Sequence, residues 1–238
     1  MKAVITADLH LISELELSLR TNKKKSISDF LNQLKFFDRI AELKPELFII
    51  AGDLLDYFIY TPYQMGKIVS VFKKLKEAGV LIIIVQGNHD LDYQLLEVLK
   101  SYAFVVANKG NNVSSFVMPD FKLEYEKLRF DKTTFHFVNY TESRKLLKKI
   151  ELDENRLNVL IAHTIVSGLK NDKNTPIFGE LTPADFTRFH HVFTGHIHYA
   201  QTFKNITVVG SPYLITTPDY NVIIFDTVTG KHERVKLR

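Results

Sequence analysis

Cysteine is absent from all 238 residues. That excludes a disulfide framework and any thiolate metal site, so a cation here would have to be held by His, Asp, Glu or Asn. Long apolar runs are absent too. No segment approaches the length of a membrane span, and the opening MKAVITADLH passes into a short strand pattern without the apolar stretch of a signal peptide. The expectation is a soluble cytoplasmic protein with no membrane partner. Charge of one sign is scarce: 31 Lys and Arg stand against 27 Asp and Glu, a formal net charge of +4. That balance permits a nucleic-acid partner without requiring one. Internal repeats and low-complexity linkers are missing, so one unit spanning 1–238 is expected rather than two domains.

What is present is an ordinary globular composition, 45% hydrophobic and 24% charged, on a chain long enough to bury a sizeable core. The first half alternates strands and helices. AVITA (3–7), LFIIA (47–51) and VLIIIV (80–85) are short apolar runs. Between them, Phe30, Leu34, Phe37, Ile40 and Leu43 share one helical stripe over 28–43, with Ser26 or Ser28 as its cap. Pro62 opens a second helix that turns Ile68, Val69, Phe72 and Leu75 inward and ends at Gly79. A third is expected near 92–101. This β-α-β-α-β order predicts parallel strands joined by helical crossovers. The second half is richer in strands: FVVAN, VSSFVM, KLRF, TTFHFVNY, LNVLIA and HVFTGHIH, with a short helix at 142–150. Two hairpins follow, turning at Lys204-Asn205 and near Thr229-Gly230. Residues 166–180 form a long loop, and loops of that length are often functional.

Five of the apolar runs end in metal-ligand residue types. VITA runs into Asp8 and His10, FIIAG into Asp53, IIIVQG into Asn88 and His89, VLIA into His163, and VFTG into His196 and His198. Ligands of parallel sheets gather beyond the carboxyl ends of the strands, so these groups can converge on one rim. Two carboxylates, four imidazoles and one amide oxygen are too many for a single zinc with an open position. They suit two divalent ions sharing a carboxylate, Mn²⁺ first, with Mg²⁺, Fe²⁺ and Zn²⁺ as alternatives. An ion pair ~3.5–4 Å apart acidifies a bridging water and neutralises phosphate oxygens. Asp-x-His and His-x-His spacing would turn both side chains to the same side of an extended chain.

Each piece alone has a plainer reading. Asp8 or Asp53 could cap a helix, GNHD could be a polar turn, and His163 could be a satisfied core histidine. The joint occurrence at successive strand ends decides for the site. His136 reads as a strand position, and His190, His191 and His232 lie outside the pattern.

DLH, GDLLD, GNHD, AHT and GHIH, in that order, resemble the five signature blocks of the calcineurin-like metallophosphoesterases, across residues 8–198. Leu11 after DLH, Thr61-Pro62 after GDLLD, and GHIHYAQ followed by VVGSP make the chain most similar to the nuclease subunits of double-strand-break repair complexes, the SbcD type. The resemblance implies an α/β fold, a four-layer αββα sandwich of two mixed sheets flanked by helices. It implies Asp8, His10 and His198 on one ion, Asn88, His163 and His196 on the other, and Asp53 bridging. His89 would approach the substrate and protonate the leaving oxygen, oriented by Asp56. The implied activity is phosphodiester hydrolysis by a metal-bridging hydroxide, acting on single- or double-stranded DNA.

SbcD-type subunits continue into a capping domain and a tail that binds a coiled-coil ATPase. Here about forty residues follow GHIH and two hairpins use them, so the cap is expected to be absent or vestigial, which weighs against the SMC-like ATPase partner. Dimers are common in the resembled family, so a homodimer is an open expectation. Lys23, Lys24 and Lys25, soon after His10, are the basic cluster best placed to touch a nucleic-acid backbone. Two other readings stand beside the nuclease: a phosphatase or nucleotide or cyclic-nucleotide phosphodiesterase acting on a small substrate, and an inactive binding subunit.

Overall fold

Side-chain alternation in the apolar runs decides the layers. The computed structural model describes residues 1–12, 27–56, 60–107, 125–141, 143–171, 173–212 and 221–237. Strands β1 (Lys2–Thr6), β2 (Leu47–Ala51) and β3 (Leu81–Val85) turn alternate side chains to opposite faces. Ile5, Ile49 and Ile83 enter one core layer, and Val4, Ile50 and Ile84 another. Burial on both faces is why these runs are continuously apolar instead of alternating.

The crossover helices cover the second of those faces. α1 (Ile27–Glu42) buries Phe30, Leu34, Phe37 and Ile40 as its stripe predicts. It starts at Ile27, so Ser28 sits inside the first turn and is not the cap; Ser26 lies outside the described residues. α2 (Pro62–Glu77) has Pro62 in its first turn and a reciprocal capping box between Thr61 and Gln64. Gly79, with φ +83°, terminates it in the left-handed region. α3 (Tyr93–Leu99) begins at Asp92, whose side chain accepts from the Leu95 N–H, and leads to β4 (Phe104–Val106).

The second sheet uses β5 (Tyr125–Phe130), β6 (Thr133–Val138), β7 (Leu157–His163), β8 (His191–Gly195), β9 (Gln201–Phe203) and β10 (Ile206–Val208). β11 (Asn221–Asp226) and β12 (His232–Lys236) return to the first sheet. The sheet orders are β12-β11-β1-β2-β3-β4 and β5-β6-β7-β8-β10-β9. β1 to β4 run parallel, as do β6, β7, β8 and β10; the outer strands pair antiparallel.

The sheets pack face to face through Ile5, Ile49, Val85, Phe135, Phe137, Ile161 and Phe193. Outside the second sheet lie α4 (Arg144–Lys149), a 3₁₀ turn at Pro183–Phe186, and the loop residues Val166, Leu169 and Leu181. The four layers expected from the sequence are therefore present, the last built from short helical pieces and loop. The strand expected at VSSFVM lies outside the described residues. Among the described residues no helix is long and apolar enough to cross a membrane.

Candidate metal centre

β1, β2 and β3 of one sheet and β7 and β8 of the other all end at one edge of the sandwich, and the chain turns sharply there. Asp8 (φ 54°), His10 (φ 42°), Asp53 (φ 51°) and His196 (φ 81°) all occupy the left-handed region, which non-glycine residues adopt at a cost of about 1–2 kcal/mol each. Such conformations persist only where the surroundings over-determine them. Here the loops after β1 and β2 are zipped together: the N–H groups of Asp8, His10 and Leu11 donate to the carbonyls of Gly52, Asp53 and Leu54, each at 3.0 Å. Ser211 donates its hydroxyl to the Asp8 carbonyl at 2.8 Å.

Most of these side chains fall into two groups, and Asp53 also meets His10 and His89 in a third. Donor atoms of Asp8, His10 and His198 lie within 4.8 Å of one another, and so do those of Asp53, His163 and His196. Asp53 stands between: its Oδ2 is 3.1 Å from His163 Nε2 and 3.7 Å from His10 Nε2. Asn88 Oδ1 lies 3.1 Å from His163 Nε2 and 2.8 Å from His196 Nδ1. His163 Nδ1 is 2.9 Å from the Ala51 carbonyl; a carbonyl only accepts, so Nδ1 carries hydrogen and Nε2 faces Asp53 and Asn88. Gly52 makes this approach possible, because a Cβ there would lie 2.0 Å from His163 Nδ1. Gly52→Ala is therefore expected to push the ring aside and weaken metal binding; an unchanged affinity in calorimetric titration would contradict this placement.

Asp8 and His10 meet in one group as the Asp-x-His spacing expects, but the same-side alignment expected of His-x-His does not hold. His196 and His198 separate, one to each group, because φ +81° at His196 breaks the extended backbone that same-side spacing presumes.

The donor set fits cations on two observations. Asp8 Oδ2 is buried and, among the described residues, without a hydrogen-bond partner, although its Oδ1 accepts the His196 N–H at 2.8 Å. An orphaned carboxylate oxygen in a buried site is costly unless a cation compensates it. In addition, donors sharing a shell of bonds near 2.1 Å stand roughly 3.0–3.4 Å apart. His10 Nε2 and His198 Nε2 are 3.0 Å apart, and the Asn88 and Asp53 distances to His163 are similar.

Without a cation, protons play that part. Burial works against charge on His163, but the Asp53 carboxylate overcomes it and raises the ring to about 9. Asp53 is lowered in spite of its own burial, by the His163 charge. Burial, then the neighbouring His163 charge, pushes His196 down to about 3. At pH 7 the metal-free His163 is thus protonated, and a ligating cation must displace that proton. Calorimetric titration with Mn²⁺ in two buffers of different ionisation enthalpy should report proton release, since His163 and His10 are both raised; heats independent of buffer would contradict the pairing.

His89 and Asp56 flank the first group. His89 Nδ1 lies 3.0 Å from Asp56 Oδ1, and the His89 N–H donates to Asp53 Oδ1 at 2.9 Å. The His89 ring meets the His10 ring edge-on at 4.6 Å between centroids. Asp56 is itself held, its N–H donating to the Tyr60 hydroxyl at 2.9 Å, while Tyr60 donates to the Leu11 carbonyl.

All nine residues expected at the rim converge, whereas Lys23, Lys24 and Lys25 lie outside the described residues. Two residues at the rim escaped the sequence reading. Asp90, the last residue of GNHD, accepts the Leu55 N–H at 2.7 Å and the Gly87 N–H at 2.8 Å, joining two of the ligand loops. Burial, then the Asp53 charge, raises its carboxyl to about 7. Asp90→Ala would strand both N–H groups and is expected to cost about 2–5 kcal/mol of unfolding free energy; an unchanged urea midpoint would contradict that bracing role. Tyr140 lies with its ring 5.5 Å from that of His196, and nothing in the pattern of TTFHFVNY marks it.

The calcineurin-like phosphoesterase family model matches residues 1–200. The chain is 26% identical over 223 residues to a protein of Staphylococcus saprophyticus subsp. saprophyticus named as the SbcD component of the nuclease SbcCD, covering 84% of this chain and 57% of that one. It is 27% identical over 234 residues to the protein of the same name from Staphylococcus epidermidis, covering 86% and 59%. The chain thus spans less than three fifths of the length of these relatives. Among solved structures, TT1561 of Thermus thermophilus superposes with a TM-score of 0.51 at 10% identity, covering 100% of this chain and 99% of that one, a likeness of fold alone.

Proposed function

Because the chain belongs to the calcineurin-like phosphoesterase family, we propose that it is a dinuclear-metal phosphodiesterase whose substrate is DNA. The observation that carries this reading is the pair of His/Asp groups with Asp53 between them, and the buried Asp8 Oδ2, which has no hydrogen-bond partner among the described residues. Asp8, His10 and His198 would hold one ion, Asn88, His163 and His196 the other, and Asp53 both, with Mn²⁺ the first choice. Bound there, two divalent cations acidify a water and neutralise charge on a phosphodiester.

The remaining work falls to the chain. Asp56 accepts from His89 Nδ1, so the ring is held in one orientation and Nε2 is the nitrogen that passes a proton to the departing oxygen. The bond from the His89 backbone N–H to Asp53 Oδ1 ties the loop that carries this ring to the shared carboxylate. A donor and its orienting acid on adjoining loops give the geometry that general acid catalysis needs.

DNA is chosen over a small phosphoester because both curated relatives are named as components of a nuclease. In this reading residues 1–238 act as one catalytic domain. The test is a panel with Mn²⁺: bis-p-nitrophenyl phosphate, p-nitrophenyl phosphate, and linear single- and double-stranded DNA. Degradation of DNA by the wild type but not by the His89→Ala protein is expected. Hydrolysis confined to the small esters would replace the nuclease reading with that of a small-substrate phosphoesterase. No hydrolysis of any ester would leave only a binding role.

A further inference from the structure

A cavity of about 230 Å³ adjoins the centre, lined by Ile165, Asn171, Ile177 and Ile197 together with His196 and His198. Its outer wall is Asn171 and Ile177 of the loop after β7, whose described residues bond to one another. Gly168 N–H donates to the Ile177 carbonyl at 2.9 Å and Ile177 N–H to the Leu169 carbonyl at 2.8 Å. Asn171 Oδ1 accepts the N–H groups of Lys173 and Thr175, both at 3.0 Å. The loop is also tied to β9: Lys170 N–H donates to Gln201 Oε1 at 3.0 Å, and Gln201 Nε2 donates back to the Lys170 carbonyl at 2.6 Å. A Cβ on Gly179 would come within 2.7 Å of Ile165 Cγ2, so the absent side chain lets the loop close on that wall.

We propose that this cavity receives the nucleobase of the nucleotide that keeps the scissile phosphate; the inference rests on the phosphodiesterase reading. His196 and His198 form one wall, so an occupant lies directly beside a phosphate held at the metal centre. The other walls are isoleucine side chains, which suit the flat apolar faces of a heterocycle. The volume falls below the roughly 300–1,000 Å³ of sites that enclose drug-sized ligands, so it takes one ring system and not a dinucleotide.

Asn171 supplies the polar contact. Its oxygen is occupied by the two loop N–H groups, which fixes the amide plane and leaves the two Nδ2 hydrogens to donate to a ring nitrogen or carbonyl. His89, the proton donor to the leaving oxygen, is not among the lining residues. The occupant is therefore the retained ester group, and the pocket sets preference on that side of the bond.

Two arms test this. In saturation-transfer NMR on metal-free protein with thymidine 5′-monophosphate, the base protons should receive more saturation than the sugar protons. Asn171→Asp, which keeps the acceptor for the loop and removes both donors, should abolish that difference, and so should Ile177→Ala. Equal saturation of base and sugar in the wild type, or no effect of either variant, would overturn the proposal. In the second arm, the Mn²⁺-loaded protein is given thymidine 5′-(4-nitrophenyl phosphate) and methyl 4-nitrophenyl phosphate, which share a leaving group and differ in what stays on phosphorus. A kcat/KM preference of at least about tenfold for the thymidine ester is expected, falling severalfold in both variants. Hydrolysis of both esters without preference would remove the pocket and leave the phosphodiesterase reading standing. Hydrolysis of neither would remove that reading, and the NMR arm would still decide whether the cavity takes a base.

Discussion

The His89→Ala protein is expected to retain both cations and to turn over a phosphodiester about 10²–10⁴-fold more slowly than the wild type. The loss should fall on kcat and on kcat/KM alike, since proton donation acts in the transition state. Geometry offers one competing role: His89, His10 and Asp53 also bring donor atoms within 4.8 Å of one another, which would make His89 a ligand. Asp56 weighs against it. Its carboxylate lies 3.0 Å from His89 Nδ1 but also 3.5 Å from His10 Nδ1, so it steadies two rings at once and directs the His89 ring as an acid is directed. Metal analysis beside kinetics separates the roles. A lost ion would make His89 a ligand, and full activity would remove it from the reaction. Asp56→Asn should give a smaller loss with the metal content unchanged, because it acts through the ring it positions.

Asp53→Ala is expected to lose both cations and, with them, all phosphoesterase activity. No other carboxylate reaches both groups among the described residues: Asp53 Oδ2 lies within 4 Å of both His163 and His10, whereas Asp8 belongs to the first group alone. Without Asp53 the second group keeps only imidazoles and an amide, a set with no negative charge to offset a divalent ion. The substitution also removes the partner that keeps His163 charged in a buried site. Breaking a buried ion pair costs about 3–5 kcal/mol when the remaining charge is trapped. His163 can shed its proton, so the stability loss should be smaller than that. Retention of two ions per chain by Asp53→Ala would contradict the shared-carboxylate arrangement.

Much of this was legible because the physical constraints are local. A buried parallel strand is a run of β-branched residues, and a polar residue just after such a run marks where the sheet opens to solvent. Asp8, Asp53, Asn88, His163 and His196 could therefore be placed at one rim from their positions after apolar runs. The crossover helices were legible from the stripe through Phe30, Phe37 and Ile40 and from Pro62 and Gly79, residues whose chemistry is tied to helix faces and ends.

What was not legible depends on long-range or backbone detail. Same-side spacing failed at His196 because a left-handed φ there is imposed by contacts with Asp8, 188 residues away in sequence. Asp90 was quoted within its motif, yet its role as a brace requires knowing that the Leu55 and Gly87 N–H groups converge on it. The outer layer over the second sheet draws on Val166, Leu169, Leu181 and Phe186, residues of a loop and a 3₁₀ turn with no period to betray them.

The most direct test is anomalous diffraction from crystals soaked in manganese. The account predicts two peaks, one contacted by Asp8, His10 and His198, the other by Asn88, His163 and His196, with Asp53 reaching both. A single peak, or none near Asp53, would contradict it.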